Sequence, residues 1–163
     1  MPPMKNKLHR NLYIMLAAAL AARLGIALLG HGGDLDYFMK AASFVVNGGN
    51  PYTHKFGYAY TPVYLIYLIG ARLITGGQPE LYVYTSKLPQ IFCDTAIGWV
   101  LFNIVRKHLD DDRKAFITAA LYLFNPLFIY NSAFYGRFDQ FCVFFALCGL
   151  MLYNSPLKSS LHL

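Results

Sequence analysis

Apolar residues run in long blocks along this chain, and polar residues collect in the intervals between them. Met1 to Arg10 carries Lys5, Lys7 and Arg10. The next stretch, Asn11 to Gly30, is almost wholly apolar and long enough for a membrane-spanning helix. The small residues of LAAALAA would also suit a cleaved signal peptide, but further apolar blocks follow and no signal is needed to explain the first. Arg23 within the block costs about 2.5–3.5 kcal/mol at mid-membrane. It lies near the far end, where its side chain is expected to snorkel outward toward Asp34 and Asp36.

His31 to Pro62 is the first polar interval, and it opens on those two carboxylates. A short amphipathic helix follows, with Tyr37, Ala41, Phe44 and Val45 on one side and Lys40, Ser43 and Asn47 on the other. Gly48 and Gly49 stop it, and Asn50-Pro51 forbids its resumption. Between membrane-grade segments, so short a helix is expected to lie in the water–lipid interface. Tyr58 to Ile74 is apolar but only marginally long enough to cross, and Gly76-Gly77 and Pro79 end it. Leu88 to Val105 is a clear spanning segment with one acid, Asp94, inside it. Arg106 to Lys114 is a polar loop. Ala115 to Asn131 is the next span, bent or ended near Asn125-Pro126, and Phe141 to Tyr153 begins another.

The sum is an all-α, polytopic transmembrane architecture over residues 1–163, with an interfacial amphipathic helix in the first outer loop. Four full spans, one half-embedded helix and one surface helix are expected. Lys and Arg gather before Tyr13 and at Arg106 to Lys114, and the positive-inside tendency puts both on the cytoplasmic side. Tyr58–Ile74 must then dip in and return, which its length and Pro62 permit. With that topology Asp34, Asp36 and the Gly136-Arg137-Phe138-Asp139 turn share the outer face. Full crossing would put them on opposite faces.

Composition sharpens the class. A hydrophobic content of 56% and a mean hydropathy of +0.38 are outside the range of ordinary soluble domains. The net charge of +6 is spread over the flanks of apolar blocks, so membrane topology explains it better than nucleic acid does. Cys93, Cys142 and Cys148 sit in apolar runs without C-x-x-C spacing, and read as packing residues.

An Asp-x-Asp at a lipid interface has a chemical use. One carboxylate can take the proton from an attacking sugar hydroxyl while the other orients it or holds a divalent cation. The plainer alternative is that Asp34 or Asp36 caps the helix that follows. Asp94 is open between function and a structural pairing with Lys87 or Arg72. The tyrosines of YAYTPVYLIY read as interfacial anchors rather than acids.

GDLDYFMKAASFVVNGGNPY followed by YAYTP resembles the first outer loop of the GT-C superfamily of polytopic membrane glycosyltransferases. The likeness is strongest to the type that adds the first mannose in GPI-anchor assembly. Arg23-Leu24 matches an Arg-Leu pair in the family's first span, and FNPLFIYNSAFYGRFDQF is similar to an element of polyprenyl-dependent members. The resemblance covers roughly residues 15 to 150. It implies inverting sugar transfer from a lipid-phosphate donor, dolichyl- or polyprenyl-phosphate mannose, on the outer or lumenal face of a prokaryotic cell membrane or the endoplasmic reticulum membrane. Asp36 matches the general base and Asp34 the supporting carboxylate. The leaving phosphate needs cations, for which Arg137 comes first, then Lys55 and His54. Arg23 is a brace for the aspartates, and Asp139 a supporting carboxylate or the ion-pair partner of Arg137. No cofactor is demanded; a divalent cation, held by Asp34 and Asp36, is permitted. Membrane lipids are the other expected partner, and nucleic acid is not one.

GT-C enzymes have roughly twice as many spans, so the chain is expected to be the N-terminal fragment of a larger enzyme. Two rivals stand beside the glycosyltransferase: a non-catalytic membrane scaffold, and a small transporter that couples through Asp94.

Overall fold

The computed structural model describes residues 3–54, 56–60 and 62–153, and among them every regular element is helical. Helices α1 (Pro3–Ile26), α2 (Gly33–Val46), α3 (Pro62–Ile74), α4 (Pro79–Leu109), α5 (Asp112–Leu123) and the short α6 (Pro126–Ile129) follow in order. A π-helical turn (Tyr130–Tyr135) then leads to α7 (Asp139–Tyr153).

α4 is the mast of the molecule. Its 31 residues extend about 46 Å at 1.5 Å per residue, and among the described residues it is the one helix both long and apolar enough to cross a membrane. The four full spans expected from the sequence are therefore not all seen. α1 has 24 residues, but its polar first turns and Arg23 dilute its hydropathy. The expected Ala115–Asn131 span is broken at Phe124-Asn125. α5 ends at Leu123, and Asn125 caps the next helix by accepting from the Leu127 N–H at 2.9 Å, with Pro126 at its first position. α3 has 13 residues, about 20 Å, well short of a 30 Å hydrocarbon layer.

The expected polar loop at Arg106–Lys114 is almost entirely helix. α4 continues to Leu109, and the chain reverses through Asp110, in the left-handed region at φ 47°, and Asp111. Asp111 caps α5, its carboxylate accepting from the N–H groups of Arg113 and Lys114 at 3.0 Å. The hairpin packs tightly, because Gly98 lets α5 approach: a Cβ there would stand 2.5 Å from the Leu123 side chain. Leu12, Met15 and Ala19 of α1 join Phe102 of α4 and Ala115, Ala119 and Leu123 of α5 in the core at this end. The Arg106 guanidinium lies 3.5 Å from the His9 ring, so the two basic clusters share one end of the bundle.

The other end is built by α2, α3, the N-terminal part of α4 and the π-helical turn. α2 buries Leu35, Phe38, Ala41 and Ala42, a stripe rotated from the expected one; Phe44 is 39% exposed. The two alanines face the neighbour because they let α2 approach Tyr64, Leu65 and Leu68 of α3 closely. Pro89 lies inside α4 and has no N–H for the carbonyl of Thr85. The Tyr67 hydroxyl donates to that carbonyl at 2.7 Å, and the Tyr64 hydroxyl to the Ser86 carbonyl at 3.1 Å. These two tyrosines thus tie α3 to α4 rather than anchoring it to an interface.

Candidate functional site

The framework of the site is a polar stripe on α4. Lys87, Gln90 and Asp94 recur at helical spacing, and all three are fully buried. Asp94 accepts from Arg23 Nε at 2.7 Å, Ser132 Oγ at 2.7 Å and Tyr122 Oη at 2.6 Å. Arg23 also donates to the carbonyls of Ala19 and Leu123. Arg23 therefore neither snorkels toward Asp34 and Asp36 nor braces them; it is completely buried and neutralised by Asp94. The expected partners of Asp94 are engaged elsewhere. Lys87 Nζ donates to the carbonyl of Ala27 at 2.8 Å and to that of Gly30, while Arg72 lies over the Tyr82 ring at 5.9 Å. Both carbonyls lie just past the C-terminal end of α1, where a cation is also favoured by the helix dipole.

Asp94, through Ser132, also fixes the π-helical turn, and that turn directs the chain to Gly136 (φ 77°) and Arg137. π-turns of this kind are frequent at functional sites. The turn is pinned to the start of α2, the Gly32 N–H donating to the Tyr135 carbonyl at 3.1 Å. Gly32 is required there, since a Cβ would stand 2.5 Å from the Tyr135 ring.

Asp34 and Asp36 lie in the first turn of α2, where a negative charge is favoured by the helix dipole. Neither caps the helix, because Gly32 occupies the cap and no side chain hydrogen-bonds to it. Two residues along a helix turn about 200°, so the carboxylates diverge. Asp34 Oδ2 meets Arg137 Nε at 3.3 Å, and the pair lines a recess of about 240 Å³ with Phe38, Tyr60, Phe138 and Asp139. Asp36 Oδ1 meets His31 Nε2 at 2.8 Å and borders a separate recess with Lys40 and Arg72. The divalent cation that the sequence permitted does not fit as a shared ligand of these two carboxylates in this arrangement. Among the described residues, no three His, Cys, Asp or Glu side chains gather as a metal set.

Arg137, half exposed, also stacks over the Tyr135 ring at 4.8 Å. Its ion-pair partner is Asp34, with Asp139 beside them on the wall of the recess. His54 is exposed in the loop after Pro51, and Lys55 lies outside the described residues. Phe38 makes edge contacts with Tyr60, Tyr64 and Phe138 and forms the apolar floor under Arg137. Burial, with Tyr52, Tyr37 and Tyr60 nearby, pushes the Tyr58 phenol up to about 12, so it holds its proton at neutral pH.

Sequence reasoning missed His31, Gln90, Ser132, Tyr122 and Tyr135. The spacing of Lys87, Gln90 and Asp94 was the available signal for the buried stripe. Cys93, Cys142 and Cys148 are free.

The chain is 32% identical over 96 residues to GPI mannosyltransferase 1 of Gibberella zeae. The match takes in 58% of this chain and 21% of that protein, so the chain spans about a fifth of the relative's length. No family model matches the chain, and no solved structure matches it. The likeness supports a mannosyltransferase-like relationship.

Proposed function

We propose that the chain belongs to a membrane glycosyltransferase of GT-C type that moves a hexose, mannose first among them, from a lipid-phosphate donor to a lipid-linked or glycan acceptor. The single observation that carries this reading is the Asp34–Arg137 pair. It joins the acidic start of α2 to the arginine turn after the π-helix at one end of the bundle, in a chain similar to a mannosyltransferase. Arg137 receives the phosphate of the donor. An exposed ion pair at 3.3 Å is worth at most about 1 kcal/mol, so an incoming phosphate displaces Asp34 at little cost. Asp34 holds the guanidinium in place until then. Asp36 is the carboxylate on which removal of the acceptor proton depends. The apolar surface of Phe38 and Phe138 beside Arg137 suits the greasy stem and the sugar face of such a donor. Exposed Leu28, Leu29, Ile66 and Ile74 suit contact with lipid, and the site faces the outer or lumenal side.

Asp94 as the coupling acid of a transporter is disfavoured, because three donors and the Arg23 charge already engage it. The test is transfer of radiolabelled mannose from polyprenyl-phosphate mannose in membranes containing the protein. Asp36→Asn is expected to abolish transfer with insertion unchanged, and Arg137→Ala to raise the donor KM at least tenfold. Full transfer by Asp36→Asn overturns the reading.

A further inference from the structure

We infer that the recess between α2 and the loop joining α3 to α4 is a binding site for a phosphodiester, of the kind an anionic lipid carries at the membrane surface. The recess holds about 480 Å³ and is separate from the one at Asp34 and Arg137. Two cations border it, Lys40 of α2 and Arg72 in the last turn of α3. Among the described residues neither forms an ion pair. Lys40 is exposed and by itself would be an ordinary solvated lysine. Arg72 is different, because its guanidinium is held in place. It lies over the Tyr82 ring at 5.9 Å and packs on the bare Cα of Gly77, where a Cβ would overlap it. A fixed guanidinium that meets no carboxylate presents its fork of donors to an incoming oxyanion.

Tyr82 is the second, independent observation. It is buried, it lines the same recess, and its hydroxyl has no hydrogen-bond partner among the described residues. Buried hydroxyls are ordinarily paired. A phosphate bound by Arg72 supplies the acceptor, and Ser43 and Asn47 add further donors on the α2 wall. Charge then selects the kind of phosphate. Asp36 also borders the recess, held by His31 at 2.8 Å. Two cations against one carboxylate leave a single positive charge, which matches a phosphodiester monoanion rather than a dianionic monoester. Phe44 and Phe56, stacked at 5.3 Å, give the recess an apolar wall, and Leu73 and Ile74, next to Arg72, are exposed. Apolar surface running on from a cation suits a lipid whose phosphate sits at headgroup level. Sugar transfer plays no part in this site, and binding tests it directly.

The experiment is isothermal titration calorimetry of the detergent-solubilised protein with dioctanoyl phosphatidylglycerol. Its deacylated headgroup, glycerophosphoglycerol, and the phosphate-free dioctanoylglycerol are titrated beside it. The wild type is expected to bind the phospholipid about tenfold or more tightly than dioctanoylglycerol. Tight binding of the phospholipid alone assigns the phosphodiester to a lipid, and equal binding of glycerophosphoglycerol assigns it to a soluble ester. Arg72→Gln is expected to weaken the phospholipid about tenfold or more. Tyr82→Phe, which keeps the ring under the guanidinium and so the fold, is expected to weaken it about threefold. Lys107→Gln removes an exposed cation near the far end of α4 and is expected to change nothing, which separates a formed site from general attraction of anions to a basic protein. The inference is overturned if the wild type binds no phosphodiester, or binds dioctanoylglycerol as tightly as the phospholipid. It is also overturned if Arg72→Gln or Tyr82→Phe binds like the wild type, or if Lys107→Gln weakens binding as much as Arg72→Gln.

Discussion

Replacing Asp94 by Asn keeps the size of the side chain and removes its charge, which isolates the buried Arg23–Asp94 pair. Both groups have no solvent exposure, and Nε and Oδ2 are 2.7 Å apart. In the variant the guanidinium stays buried, still donating to two backbone carbonyls but without a counter-charge. The new amide also presents an N–H₂ to Ser132 or Tyr122, both of which donated to the carboxylate. Breaking a buried pair by removing one partner costs about 3–5 kcal/mol. The lost charge-assisted hydrogen bonds are part of that sum, since contacts in one network are not additive. Against a typical total stability of about 5–15 kcal/mol, the loss is large. The assay is thermal and urea unfolding in one fixed detergent, followed by far-UV circular dichroism, for Asp94→Asn, Arg23→Met and the double variant. The double variant is expected to be more stable than the sum of the single losses implies by about 2 kcal/mol or more, because it leaves no unpaired charge. An Asp94→Asn protein within 1 kcal/mol of wild type, or strictly additive losses, would refute the account.

Tyr67→Phe removes the donor to the Thr85 carbonyl that Pro89 leaves unpaired, and is expected to cost about 1–3 kcal/mol in the same unfolding assay. Adding Pro89→Ala, which restores an N–H in α4, should recover part of it. Gly98→Ala drives a methyl to 2.5 Å from Leu123 and is expected to destabilise by about 1–3 kcal/mol, an effect that Leu123→Ala should shrink in a double variant. The Lys114 backbone N–H, then the Lys114 side chain and the Arg113 N–H, hold the Asp111 carboxyl below its ordinary value. A depressed folded-state pKa contributes stability above the unfolded value, about 3.9, that is lost as pH falls through the folded value. Melting temperatures taken from pH 6 down to pH 2 should therefore fall less steeply in Asp111→Asn than in wild type.

Local signals were legible where they act over a few residues. Gly48 ends α2 in the left-handed region at φ 83°, as the Gly-Gly-Asn-Pro punctuation indicates. Asn125-Pro126 left a bend and an end both open in the sequence, and the structure takes the end: α5 stops at Leu123 and α6 starts at Pro126. The polar letters of Arg106–Lys114 read as loop because helix ends carry charged residues on exposed turns, and composition does not separate the two cases.

What the sequence determined by itself was the helical class, the apolar blocks and the presence of α2 between two of them, because periodicity and glycine or proline punctuation are local properties of the chain. Which charges meet was decided only by the tertiary structure. Arg23 finds Asp94, 71 residues away, because packing α1 against α4 leaves that buried charge only the partner in reach, and the half-exposed Asp34 meets Arg137 because the π-turn is pinned to the start of α2. Asp34 and Asp36, adjacent in the sequence pattern, part company for the same physical reason: a helix turns 100° per residue, so neighbours in a motif need not be neighbours in a site.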